Sequence, residues 1–129
     1  DYGSECSLHP QSACQLVTAE SFLETLAPAR TFVLAHEADH LRSLGLGLRV
    51  TPRDLLVYGP DGPIDNHVRF PNECARHKAL DMVGDLSLAG IDLVGHFIAH
   101  RSGHQLNAAL AAQLQTLYRE QTQQQRAAS

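Results

Sequence analysis

The stretch PNECARHKALDMVGDLSLAG (71–90) constrains this chain most, because one helix there has to satisfy two demands. At about 100° per residue, Ala75, Ala79, Met82, Val83 and Leu86 fall on one side and His77, Asp81 and Asp85 on the other. Pro71 and Asn72 open the helix and Gly90 closes it. The apolar side is complete without the histidine and the aspartates, so these three are not needed for packing. Gly84 shares their side, at a cost of about 1 kcal/mol of helix propensity relative to alanine, which predicts that something approaches the helix there. A histidine and an aspartate at i, i+4 can both reach one metal ion, and zinc accepts imidazole nitrogen and carboxylate oxygen at about 2.0–2.2 Å. The same spacing equally describes a solvated face whose His–Asp pair contributes a few tenths of a kcal/mol. Spacing alone leaves both open.

The flanking segments predict the rest of the architecture. Residues 12–18 read as a short strand, and Thr18 then caps a helix with Glu20 in its first turn and Pro28 beyond its end. FVLAHEADHLRSL (32–44) reads as a second helix, with Val33, Leu34, Leu41 and Leu44 as its apolar stripe and Gly45 as its stop. Residues 54–58 form a compact apolar run, Pro60-Asp61-Gly62 is a turn signal, and residues 64–70 alternate, which together predict a hairpin. DLVGHFIAHR (92–101) is strand-like, with His96 and His100 on one face. A last helix is expected from Ser102 as N-cap, with Gln105 three residues on and Leu106, Leu110, Leu114 and Leu117 buried. The closing QTQQQRAAS makes residues 121–129 a polar tail, a frayed helix end. A hairpin set among helices predicts an α+β fold: a two-layer sandwich with helices on one face of a mainly antiparallel sheet and a small inserted hairpin segment.

Composition narrows the partners. The 129 residues suit one domain, and 43% hydrophobic content supports a core. A net charge of −4 and a pI of about 6.0 leave no basic surface to argue for nucleic acid, and of ten basic residues only Lys78 is a lysine. No apolar run approaches the roughly 18 residues of a membrane helix, so no stable membrane insertion is expected. Cys6, Cys14 and Cys74 cannot all pair, which suits a reducing compartment and a cytoplasmic location. Cys6, His9 and Cys14 make at most half of a zinc knuckle, without a second half. The chain opens on Asp1 with no signal peptide, which reads as a piece of a longer protein. Eight histidines are enough to raise metal or acid–base chemistry.

Two further motifs bear on that chemistry. RSGH (101–104) is a Ser-Gly turn entering a helix, with free backbone N–H groups, the Arg101 charge and the titratable His104 at the helix start. It is also what an ordinary capped helix with a surface histidine looks like. His36-Glu37-Ala38-Asp39-His40 matches H-E-x-x-H, in which two histidines bind zinc and the glutamate acts as general base of a protease. The longer form of that motif needs a histidine where Leu46 stands, and no second helix supplies an obvious third ligand.

Three ordered motifs carry a resemblance: Ala29-Arg30-Thr31-Phe32, then H-K-x-x-D-x-x-G-D from His77 to Asp85, then S-G-H-x-L-N from Ser102 to Asn107. Over residues 20 to about 118 the chain closely resembles the C-terminal half of the UDP-3-O-acyl-N-acetylglucosamine deacetylases, the zinc hydrolases of lipid A biosynthesis. The resemblance implies that His77 and Asp81 are two of three zinc ligands. It implies that His104 is the catalytic histidine, that Asp85 orients it, and that Thr31 contacts the tetrahedral oxyanion. Lys78, Arg101 and Gly103 fall at substrate-binding positions; the family often has lysine where Arg101 stands, and arginine brings a bidentate fork instead. Residues 46–58 match the inserted segment that helps form the acyl-chain passage.

The implied activity is zinc-dependent hydrolysis of the N-acetyl group of UDP-3-O-acyl-N-acetylglucosamine, releasing acetate, the committed step of lipid A biosynthesis. The pattern's third zinc ligand, a histidine, and its glutamate base belong to an N-terminal domain. Residues 1–120 therefore read as the second domain alone, with Asp1-Tyr2-Gly3 as the end of an earlier strand and the first domain as the missing partner. His36 and Glu37 do not replace those groups, since their order is reversed. A fragment of this kind is expected to be inactive by itself. The rival expectations are a zincin-type protease using His36, Glu37 and His40, and a non-catalytic structural domain.

Overall fold

A computed structural model describes residues 7–128; Asp1-Tyr2-Gly3 and Cys6, which entered the expectations above, lie outside the described residues. The chain divides into two compact units, one ending at Ala79 and one starting at Leu80.

In the first unit, Thr18 opens α1 (Ala19–Ser21), which runs on as a π-helical turn (Phe22–Leu26). The cap is reciprocal: Ser21 N–H donates to Thr18 Oγ1 at 3.1 Å, and Thr18 N–H donates to Ser21 Oγ at 2.9 Å. Residues 12–18 ahead of it are not a strand. The helix expected from Phe32 starts later. Residues Thr31–Leu34 form β1, and α2 spans Ala35–Ser43, with Gly45 at φ +74° just past its end. TFVL is rich in β-branched and aromatic side chains, and its pairing with a neighbouring strand outweighs the helical spacing of Val33 and Leu34 with Leu41 and Leu44.

That neighbour is β2 (Leu55–Gly59), which runs parallel to β1 with Phe32 opposite Leu56 and Leu34 opposite Tyr58. A parallel pair needs a crossover, and α2 lies in it. The turn at 60–61 then returns β3 (Gly62–Pro63) antiparallel to β2. The fold is α+β as expected, but the three-stranded sheet, in the order β1-β2-β3, is mixed and not mainly antiparallel. Phe32, Leu34, Leu56 and Tyr58 share one face and pack with Leu8 and Cys74. Phe32 and Tyr58 meet edge to face at 6.4 Å between ring centroids.

The hairpin is shorter than the alternation of residues 64–70 predicts, because that segment spends its hydrogen-bonding groups elsewhere. Arg30 and Glu73 form a buried pair, 2.8 Å between Nε and Oε1. The Arg30 guanidinium also donates to the carbonyls of Pro52 and His67 and to Asn66 Oδ1, and Arg69 N–H donates to Glu73. Residues 66–69 are thereby folded over the pair and withdrawn from the sheet. Burial alone would raise the Glu73 pKa, but the hydrogen bonds and charge of Arg30 and the Arg69 N–H bring it below the ordinary glutamate value.

Helix α3 (Glu73–Ser87) is the expected central helix, and Gly90 follows its end at φ +68°. In the second unit, Leu86 and Ala89 pack against Ala111, flanked by Met82, Ile91, Leu93 and Leu114. Residues 92–101 are not a strand, and Val94 and Ile98 are exposed. A strand exists only with a hydrogen-bonding neighbour, and among the described residues none pairs with this segment. Helix α4 (His104–Ala127) has Gly103, not Ser102, as its N-cap, and no side chain caps it. Its buried side is Asn107 and Ala111 with the half-buried Leu114, whereas Leu106, Leu110 and Leu117 are exposed. Its polar C-terminal turns remain helical through Ala127.

Candidate active site

Helix α3 delivers its polar side as the spacing requires. His77 is half-buried, and its Nδ1 lies 3.0 Å from the Ala29 carbonyl oxygen. With the Nδ1 proton donated to that carbonyl, Nε2 is the nitrogen of the tautomer that can ligate a metal. Metal-binding histidines are held in this way, one ring nitrogen on a carbonyl or carboxylate and the other on the ion. Asp81 follows one helical turn later.

In the second unit three expected residues meet. His104, the first residue of α4, places Nδ1 2.9 Å from Asp85 Oδ2 and 3.1 Å from Oδ1. Its other nitrogen, Nε2, lies 4.0 Å from Asp81 Oδ2. The two aspartate side chains are 12% and 17% exposed and His104 is 70% exposed, so two sheltered carboxylates hold a histidine open to solvent. Asn107 joins them: its Nδ2 donates to Asp85 Oδ2 at 3.0 Å while its own side chain is buried. Asn107 ends the S-G-H-x-L-N motif, and its three-residue spacing from His104 on a helix was the signal that both would face one partner.

The remaining candidates stand as follows. Thr31 is the exposed first residue of β1, opposite Leu55. Lys78 Nζ lies 5.9 Å from the Phe32 ring centroid, within cation–π range. Arg101 is exposed and adopts φ +52°, a left-handed turn that redirects the chain before α4. Gly103 is extended, and a Cβ there would meet nothing within 4 Å. Gly84 is the same in this respect: among the described residues, apart from its own helix backbone, nothing lies within 4 Å of a Cβ built there.

His36, Glu37 and His40 are all exposed on α2, and Glu37 Oε2 accepts the Leu34 N–H at 2.9 Å, capping its own helix. Among the described residues no group of three or more histidine, cysteine, aspartate or glutamate side chains is arranged to hold a metal ion. The donor chemistry of His77 and Asp81 thus fits zinc as part of a ligand set, not as a complete one.

His104 backed by Asp85 is a pairing of the kind that acid–base chemistry uses, and His77 and Asp81 one turn apart on α3 are donor types that metals accept. The chain belongs to the UDP-3-O-acyl N-acetylglycosamine deacetylase family, whose profile matches residues 1–116. It is similar to proteins named UDP-3-O-acyl-N-acetylglucosamine deacetylase from several bacteria. With that of Solibacter usitatus it shares 41% identity over 105 residues, 81% of this chain and 36% of the relative. With that of Geobacter sp. strain M21 it shares 46% over 96 residues, 74% and 32% of the two chains. With that of Chlamydia felis it shares 42% over 100 residues, 77% and 36%. The chain therefore spans about a third of the length of the curated relatives it matches.

Proposed function

We propose that this chain carries part of the active site of a zinc-dependent deacetylase that removes the N-acetyl group of UDP-3-O-acyl-N-acetylglucosamine, in the cytoplasm, as a step of lipid A biosynthesis. The observation that carries it is the His104–Asp85 pair, held on the helix that also bears His77 and Asp81, within a chain of this family. His77, through Nε2, and Asp81 would hold the zinc, which when bound supplies Lewis-acid polarisation of the amide carbonyl. The remaining ligand and the base that deprotonates water would come from groups other than the described residues, among which no set of three is arranged to hold a metal ion.

The chain's own groups account for the other half of the reaction. Water adds to the acetyl carbonyl carbon, the C–N bond breaks, and the departing amine nitrogen needs a proton. His104 offers it from Nε2, since Nδ1 is engaged by Asp85. Asp85 favours the imidazolium by accepting that Nδ1–H. The exposed Thr31 hydroxyl donates to the oxyanion as it develops. Lys78 and Arg101, with the Gly103 backbone, bind the nucleotide-sugar portion of the substrate. The products are acetate and a free glucosamine amine.

Acetate release from UDP-3-O-acyl-N-acetylglucosamine, measured for the full-length gene product and for this chain alone, tests the proposal. The full-length protein is expected to turn over, and the chain alone to bind zinc weakly and release no acetate. No release by the full-length protein would overturn the function, and robust turnover by the chain alone would overturn the divided site.

A further inference from the structure

We propose that Asn107 is a positioning residue for His104, acting through Asp85; the proposal rests on the deacetylase function above. Asn107 is a buried amide on the side of α4 that otherwise buries Ala111 and Leu114. A buried amide needs a partner, and this one donates to Asp85 Oδ2, the oxygen that also receives the shorter of the two His104 contacts. His104 and Asn107 stand three residues apart on α4, so both reach the same carboxylate of α3 from one side.

The geometry has a consequence for the imidazole. From His104 alone, Asp85 receives one N–H shared between two oxygens, at 2.9 and 3.1 Å, an arrangement that tolerates rotation of the carboxylate. A second donor fixed to the same helix restrains that rotation. Asn107 restrains the carboxylate plane, and the carboxylate in turn restrains the imidazole plane. His104 is 70% exposed and has little packing of its own to orient it, so the orientation of Nε2 depends on this chain of contacts. A hydrogen-bond donor at position 107 thus serves the reacting nitrogen without touching it.

Asn107→Leu keeps the branched shape and removes the donor, and Asn107→Asp keeps the shape and replaces the donor with a like charge facing Asp85. In the full-length protein, a folded Asn107→Leu is expected to show kcat lowered about 10- to 100-fold and KM within threefold. The direct readout is the downfield His104 Nδ1–H resonance in 15N-histidine NMR of the zinc-loaded protein, which should broaden or vanish in Asn107→Leu. Asn107→Asp should show the same loss. Should Asn107→Leu fail to fold, Asn107→Ala is read in the same way. Persistence of the resonance in a folded variant, or wild-type kcat with it, would overturn the proposal. If the wild type releases no acetate from the substrate, the deacetylase function fails, and the resonance still decides the role of Asn107.

Discussion

His104 illustrates how two nitrogens of one ring are given different work. Nδ1 is tied to Asp85, and Nε2 points to the side where Asp81 stands, 4.0 Å away. If His104 supplies the proton to the departing amine, its removal should affect the chemical step and leave the metal in place. His104→Ala in the full-length protein is therefore expected to lower kcat by about 10²- to 10⁴-fold, with KM changed only a few-fold and zinc content unchanged. Steady-state kinetics with metal analysis on the same sample checks this; loss of zinc along with kcat would make His104 a ligand instead.

At the scale of elements, the strongest constraint is the Arg30–Glu73 pair, which ties the start of β1 to the first turn of α3. Arg30 lies between Ala29, whose carbonyl receives His77, and Thr31, so the pair locates both neighbours relative to the helix. Breaking it leaves a buried charge: Arg30→Met should destabilise the chain by about 3–5 kcal/mol, and Arg30→Met with Glu73→Leu by much less. Urea unfolding of this chain measures both. The pair also gives acid sensitivity. Because the folded-state pKa of Glu73 lies below the ordinary value, its stabilisation is complete above the unfolded pKa and is lost as pH falls through the folded one. Urea midpoints taken from neutral to acid pH should fall less steeply for the double variant than for wild type. A second element-level expectation concerns Gly84, where a Cβ meets no atom within 4 Å. Gly84→Ala should stabilise this chain by about 0.4–1 kcal/mol in the same urea assay, whatever it does to catalysis in a longer protein.

Over the whole molecule, the parts legible in the sequence were those fixed by local chemistry. The apolar period, Pro71, Asn72 and Gly90 mark α3 closely, and Thr18 marks the helix it caps. The His77, Asp81 and Asp85 side of α3 follows from spacing alone, while His104 was joined to it only through the family motif. What could not be read depends on distant partners. Arg30 and Glu73 are 43 residues apart, and neither sits in a pattern that announces a buried pair. The strand-like composition of residues 92–101 would need a pairing neighbour, and the described residues offer none. On α4 the leucine spacing suggested the wrong side: Asn107 and Ala111 are buried there because a polar anchor on Asp85 and a small residue against Leu86 and Ala89 set the contact. Composition suggested a frayed tail where α4 continues to Ala127, since glutamine and alanine are good helix formers.

The claim on which the rest depends is that α3, and not α2, holds the metal. Zinc stoichiometry by equilibrium dialysis of the full-length protein tests it most directly, comparing His77→Ala/Asp81→Ala with His36→Ala/His40→Ala. The account predicts about one zinc per chain in the wild type and the α2 variant, and loss of that zinc in the α3 variant, which removes two of the ligands a tetrahedral site requires. Zinc retained without His77 and Asp81, or lost without His36 and His40, would contradict it.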